Sequence, residues 1–139
     1  MELSQPILII EDNDDDFEAI IRAFKRVPEF NYRIDRCVNG SEAIDYLCRQ
    51  GPFANLRDYN LPGLLLLDLN MPGSTGFDVL EVVKSKKHLR TIPAIVLTTS
   101  QDQKDIQASY ASGANTFVEK PQDFSELTLI IQRFAQYWL

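Results

Sequence analysis

Two cysteines and a single histidine are all that this 139-residue chain offers to soft metals or to disulfides. Cys37 and Cys48 stand at no metal-ligand spacing, so the simplest reading is two reduced thiols, Cys37 in the core of a second strand. His88 sits in a basic stretch with Lys84, Lys86, Lys87 and Arg90 and reads as a solvated side chain rather than a relay histidine. No apolar run reaches membrane-spanning length, and the amino terminus has no basic-plus-apolar leader, which points to a soluble cytoplasmic protein with no membrane contact. A basic excess is also missing. The formal net charge is −6, which disfavours a nucleic-acid partner. There is no internal repeat and no low-complexity stretch. The length suits one ordinary domain with a real core and leaves no room for a second.

What the chain does have is a series of short apolar runs, each ending in a chemically active side chain. Leu64-Leu65-Leu66-Leu67 ends in Asp68, followed by Leu69-Asn70-Met71 and then the turn residues Pro72-Gly73. A continuous run of this length reads as a strand buried on both faces in a parallel sheet, and the carboxyl end of such a strand is where α/β folds put their chemistry. Pro6–Ile10 ends in Glu11-Asp12-Asn13-Asp14-Asp15-Asp16, five acids in six residues. Asp14, Asp15 and Asp16 serve a helix start, one as its N-cap and the others facing the positive end of its dipole. Glu11 and Asp12 precede the helix. If these two strands are neighbours, Glu11, Asp12 and Asp68 converge at one edge, which is unfavourable without a cation. Hard oxygen donors with no His or Cys beside them favour Mg²⁺.

Two more strand ends complete the set. Ala94–Leu97 runs into Thr98-Thr99-Ser100, and Thr116–Glu119 runs into Lys120-Pro121. Carboxylates beside Mg²⁺, with an ammonium and a hydroxyl to hold anionic oxygens, are what phosphoryl transfer to a carboxylate requires. Strand and helix patterns alternate between these points. The predicted strands are Ile7–Ile10, Tyr32–Val38, Leu64–Leu67, Ala94–Leu97 and Thr116–Glu119. The predicted helices are Asp15–Arg26, one opened by Asn39-Gly40-Ser41, then Phe77–Lys84, Gln103–Ser112 closed by Gly113, and Phe124–Trp138 opened by Asp123-x-x-Glu126. Gln50–Pro62 reads as an ordered loop.

With these residues in place, the whole chain from Pro6 to Leu139 resembles a response-regulator receiver domain, similar in architecture to the chemotaxis receiver. The resemblance implies a flavodoxin-like, doubly wound α/β fold, a five-stranded parallel sheet of order 2-1-3-4-5 with five helices, and a single receiver domain over residues 1–139 without an output domain. It makes Asp68 the phosphoacceptor and nucleophile, Glu11 and Asp12 the acidic pair, and Thr98 the hydroxyl that holds a phosphoryl oxygen. Lys120 becomes the ammonium partner, and Lys120-Pro121 is expected to carry a cis peptide. Phe117 becomes the switch aromatic acting with Thr98. Asp12 and Asp68 are expected to ligate Mg²⁺ directly, Glu11 through water, and Asn70 through its backbone carbonyl. Asn70, Thr99 and Ser100 line the approach of water and are expected to tune hydrolysis. Such a protein is not an enzyme beyond its own phosphorylation and dephosphorylation.

Within receivers, the segments Asp68-Leu69-Asn70-Met71-Pro72, Ile92-Pro93 ahead of Val96–Ser100, the long Gln50–Pro62 and the ending Phe134–Leu139 resemble the single-domain regulators of cyanobacterial phytochromes. That likeness implies a sensor histidine kinase of phytochrome type as donor, and a homodimer through the helix 4–strand 5–helix 5 face involving Phe134, Tyr137 and Trp138. A stand-alone receiver can also act as a phosphate sink or relay intermediate. Two other classes fit less well. A Mg²⁺-dependent aspartyl-phosphate phosphatase needs a second Asp where Asn70 stands. A flavodoxin-like electron carrier needs a Gly- and hydroxyl-rich phosphate loop where this chain has carboxylates.

Overall fold

The computed structural model describes residues 5–56, 61–71, 75–99 and 102–139. Pro72, Gly73 and Ser100, each given a role above, lie outside the described residues. Five strands, β1 (Ile7–Ile10), β2 (Ile34–Cys37), β3 (Leu64–Leu67), β4 (Ala94–Thr98) and β5 (Thr116–Glu119), form one parallel sheet in the order β2-β1-β3-β4-β5. Five helices connect them: α1 (Asp14–Lys25), α2 (Gly40–Cys48), α3 (Gly76–Ser85), α4 (Gln103–Ala111) and α5 (Phe124–Trp138), with a 3₁₀ turn at Gly51–Phe53 after α2. This is the doubly wound order, and it puts β1 and β3 side by side where the order reverses.

The apolar runs explain the layering. Side chains alternate across a strand, so a strand covered on both faces must be apolar throughout. Every residue of β1 and β3 is buried. Ile7, Ile9, Leu64 and Leu66 meet Ile20 and Phe24 of α1 and Leu127, Ile131 and Phe134 of α5. Leu8, Ile10, Leu65 and Leu67 turn the other way, to Ala43 and Leu47 of α2 and Val79, Leu80 and Val83 of α3. Cys37 lies in this second layer as expected, and burial pushes its thiol up to about 12, so it is inert in the folded protein.

Four sequence expectations need correction. Strand β2 is shorter than Tyr32–Val38, because it is an edge strand, and Val38 is exposed. The N-cap of α1 is Asn13, whose side chain accepts the Asp16 N–H at 2.9 Å; the three aspartates fill the first turn instead. In α5, Asp123 caps the helix by accepting from Ser125 N–H at 3.3 Å, not through a box with Glu126. The Lys120–Pro121 peptide is trans, the majority state for X–Pro bonds. Among the described residues no helix is long and apolar enough to cross a membrane.

Candidate functional site

The site is built by register. Ile10 of β1 is paired with Leu67 of β3, so the residues that follow, Glu11 and Asp68, leave the sheet side by side. The Asp68 N–H donates to the Ile10 carbonyl at 3.1 Å, extending the ladder one step past the strands. Asp68 is 6 % exposed and Glu11 2 %, whereas Asp12 is open to solvent. One carboxylate oxygen from each of Glu11, Asp12 and Asp68 lies within 4.8 Å of the other two. The donors are all hard oxygens, with no imidazole or thiolate in the cluster, and the separation suits one small divalent cation.

Lys120 sits at the centre of the charge balance. Its ammonium donates to Glu11 Oε1 at 2.6 Å, Asp16 Oδ2 at 2.9 Å and Asp68 Oδ2 at 3.3 Å, with only 9 % of its side chain exposed. Its backbone N–H donates to the Thr98 carbonyl at 2.7 Å, which fixes the loop after β5 to the end of β4. Burial opposes the ammonium, but the hydrogen bonds and charges of the surrounding carboxylates outweigh it and hold the pKa above its ordinary value. Burial pushes Glu11 up to about 6, and the Lys120 contact only partly offsets that rise.

Asn70, Thr98 and Thr99 flank the other side of Asp68. Asn70 donates its backbone N–H to Asp68 Oδ1 at 3.2 Å, and its exposed side-chain amide reaches Thr98 Oγ1 at 3.5 Å, a long contact. Thr98 is fully buried and Thr99 is exposed at the mouth. Phe117 is half-buried against the α2–α3 layer, and its backbone N–H donates to the Tyr110 hydroxyl at 3.2 Å. At the far end of α5, Tyr137 is 76 % exposed with Trp138 edge-on at 4.7 Å. Phe134, expected with them at a docking surface, is instead 7 % exposed and committed to the inner layer, because its position on the α5 stripe faces the sheet.

Three residues of the site escaped the sequence reading. Asp16 was assigned to the helix start alone; the excess of acids over what a cap needs was the available signal. Arg36 of β2 clamps the β1–α1 turn. It donates Nε and Nη2 to the Glu11 carbonyl at 3.1 and 3.0 Å, pairs with Asp14 at 2.8 Å and stacks on Phe17. Nothing local in the sequence marks it, since only strand pairing brings β2 to Glu11. Gly76 lies against the loop bearing Asp68. A Cβ there would come within 2.5 Å of the Asp68 carbonyl, so α3 can start this close only with glycine.

Comparison with known proteins agrees with this geometry. The family model described as response regulator receiver domain matches residues 7–132. A probable methanogenesis regulatory protein, FilR2 of Methanothrix harundinacea, is 37 % identical over 96 % of this chain and 83 % of its own. The crystal structure of the phosphorylated cyanobacterial phytochrome response regulator RcpA superposes with a TM-score of 0.88 at 33 % identity, covering 97 % of this chain and 94 % of that one. The Mn²⁺-bound form of response regulator Rcp1, a protein of Synechocystis sp., superposes at 0.87 with 31 % identity over the same shares.

Proposed function

The chain belongs to the response-regulator receiver family, whose members are switched by phosphorylation from a kinase, and we propose that here the phosphoryl group is accepted by Asp68. The observation that carries this is a buried carboxylate that converges with Glu11 and Asp12 and is held by the ammonium of Lys120. An Asp68 oxygen attacks the phosphorus of a phosphohistidine, forming an O–P bond as the N–P bond breaks; the imidazole leaves and is protonated. The backbone N–H of Asn70 and the ammonium of Lys120 each engage one Asp68 oxygen and fix the carboxylate's orientation for in-line attack. Thr98 Oγ1 and the Asn70 amide stand at the edge where phosphoryl oxygens arrive.

The cation we assign is Mg²⁺, which Asp12, Asp68 and the Asn70 carbonyl would hold, with Glu11 in an outer role. Bound there, it supplies neutralisation of the phosphoryl oxygens. Glu11 suits the outer role because Lys120 and the Asn13 N–H already use its two oxygens. The likeness to RcpA and Rcp1 supports a phytochrome-type sensor histidine kinase in the cytoplasm as the donor. A homodimer through α4, β5 and α5, with Tyr137 and Trp138 at its centre, is supported by the exposed Tyr137 ring and its edge-on contact with Trp138. The chain acts as a phosphorylation-controlled binding module and catalyses only its own phosphorylation and dephosphorylation. Incubation with acetyl phosphate and Mg²⁺ should add one phosphoryl group by intact mass, and none after EDTA or in Asp68→Asn. A label that survives Asp68→Asn overturns the assignment.

A further inference from the structure

An ammonium has three hydrogen-bond donors, and in Lys120 each is already directed at a different carboxylate: Glu11, Asp16 and Asp68. A phosphoryl group on Asp68 can take over the donor now on Asp68 Oδ2, the longest of the three contacts at 3.3 Å, and its added charge draws the ammonium closer. The contact that lengthens as the ammonium moves is the one to Glu11 or the one to Asp16. Glu11 is poorly placed to let the ammonium go. Its side chain is 2 % exposed, its other oxygen accepts the Asn13 N–H, and releasing it would leave a buried carboxylate without its cation. Asp16 is different. Its side chain is 41 % exposed, so water can replace the ammonium at little cost.

Resting on the phosphoacceptor reading above, we propose that Asp16 is a positioning residue that competes with the phosphoryl group for Lys120 and is released from it on phosphorylation. In the resting state the ammonium leans toward Asp16 and Glu11 and away from Asp68, as the distances 2.9, 2.6 and 3.3 Å record. Asp16 therefore disfavours the phosphorylated state by holding the ammonium back and by adding a negative charge beside the incoming group. Its release also carries a signal. Asp16 is in the first turn of α1 and lines a cleft of about 300 Å³ with Thr99, Lys120, Pro121 and Phe124. On phosphorylation the Asp16 carboxylate in the wall of this cleft is no longer paired with the ammonium, so the α1–α5 side presents a free anion to a partner.

Asp16→Asn and Asp16→Glu separate this role from a helix-capping one. The aspartyl-phosphate formed from acetyl phosphate and Mg²⁺ should persist about three- to fivefold longer in Asp16→Asn than in the unaltered protein, the scale of a half-exposed ion pair. Asp16→Glu should restore the shorter lifetime, because its carboxylate can still reach the ammonium. In the unphosphorylated protein, nitrogen-detected NMR should show the Lys120 ammonium resonance shifted in Asp16→Asn and near its original position in Asp16→Glu. An unchanged ammonium resonance, or a lifetime unaffected or shortened by Asp16→Asn, overturns the proposal while leaving Asp68 as phosphoacceptor. Failure of the unaltered protein to label on Asp68 overturns the phosphoacceptor reading first, and the release step falls with it.

Discussion

Helices α1 and α4 both follow strands that end in the site, yet they hold to the sheet in opposite ways. Helix α1 buries Ile20, Ala23 and Phe24 at or near zero exposure, with Phe24 against the Phe30 ring at 5.3 Å. Helix α4 buries only Ser109, whose hydroxyl turns back to the Asp105 carbonyl at 2.7 Å and contributes nothing apolar. What secures α4 lies mostly at its ends. Asp102 accepts the Lys104 N–H at 2.9 Å, the Lys84 ammonium of α3 donates to the Ala111 carbonyl at 3.0 Å, and Tyr110 reaches β5 through its hydroxyl. Apolar burial is the dominant stabilising contribution, and regions poor in it open first. One helix is thus a fixed wall that carries Asp16 to Lys120. The other is attached by a few polar contacts and can be re-seated at small cost, which suits a face that changes partner.

The strongest way to break this contrast is to remove apolar volume from each helix. Phe24→Ala should lower the unfolding free energy by about 3–5 kcal/mol, as deletion of a fully buried aromatic does. Ile106→Ala, on the half-buried face of α4, should cost about 1 kcal/mol or less. Urea titrations with equal slopes would compare the two directly, and similar losses would show that α4 is as deeply committed as α1. A smaller effect is expected at the end of α5, where self-association is proposed. Tyr137→Ala together with Trp138→Ala should weaken self-association by about 2 kcal/mol or more, the scale of aromatic anchors at an interface centre, Tyr137 being exposed and Trp138 half-buried beside it. Sedimentation at micromolar concentration, with and without phosphorylation, reads this out. A protein monomeric throughout, or a dimer indifferent to the double substitution, removes Tyr137 and Trp138 from the interface. Smallest should be Tyr110→Phe, which deletes one hydroxyl contact to the Phe117 N–H and should cost about 0.5–1.5 kcal/mol. Hydrogen exchange at Phe117 and along α4 should quicken while exchange in α1 stays the same.

How legible these regions were in the sequence follows the same division. The fixed part was readable because it is coded by local pattern. Leu64–Leu67 could only be a strand covered on both faces, and a covered central strand needs helices on either side. Acid, hydroxyl and lysine at successive strand ends marked the site before any pairing was known, and Glu11, Asp12 and Asp68 do converge. The edges were less legible. The pattern overextends strand β2 because edge residues are only partly buried and their alternation is weak. Phe134 and Trp138, four residues apart, share the α5 stripe that packs on the sheet, whereas the helix turns their neighbour Tyr137 onto the solvent face.

What the sequence determined by itself is therefore the inventory and its order: which runs are strands, which side chains stand at their carboxyl ends, and that hard-oxygen chemistry belongs there. These follow from periodicity and residue type, which are local. Which partner each charged group takes was decided by tertiary structure alone. Lys120 meets Glu11 across 109 positions of the chain and Asp16 across 104, and Arg36 reaches the Glu11 carbonyl across 25. Those contacts depend on strand order, register and the angle at which α1 leaves β1. A lysine's reach is the same in any fold; only the packed sheet determines which carboxylates lie within it.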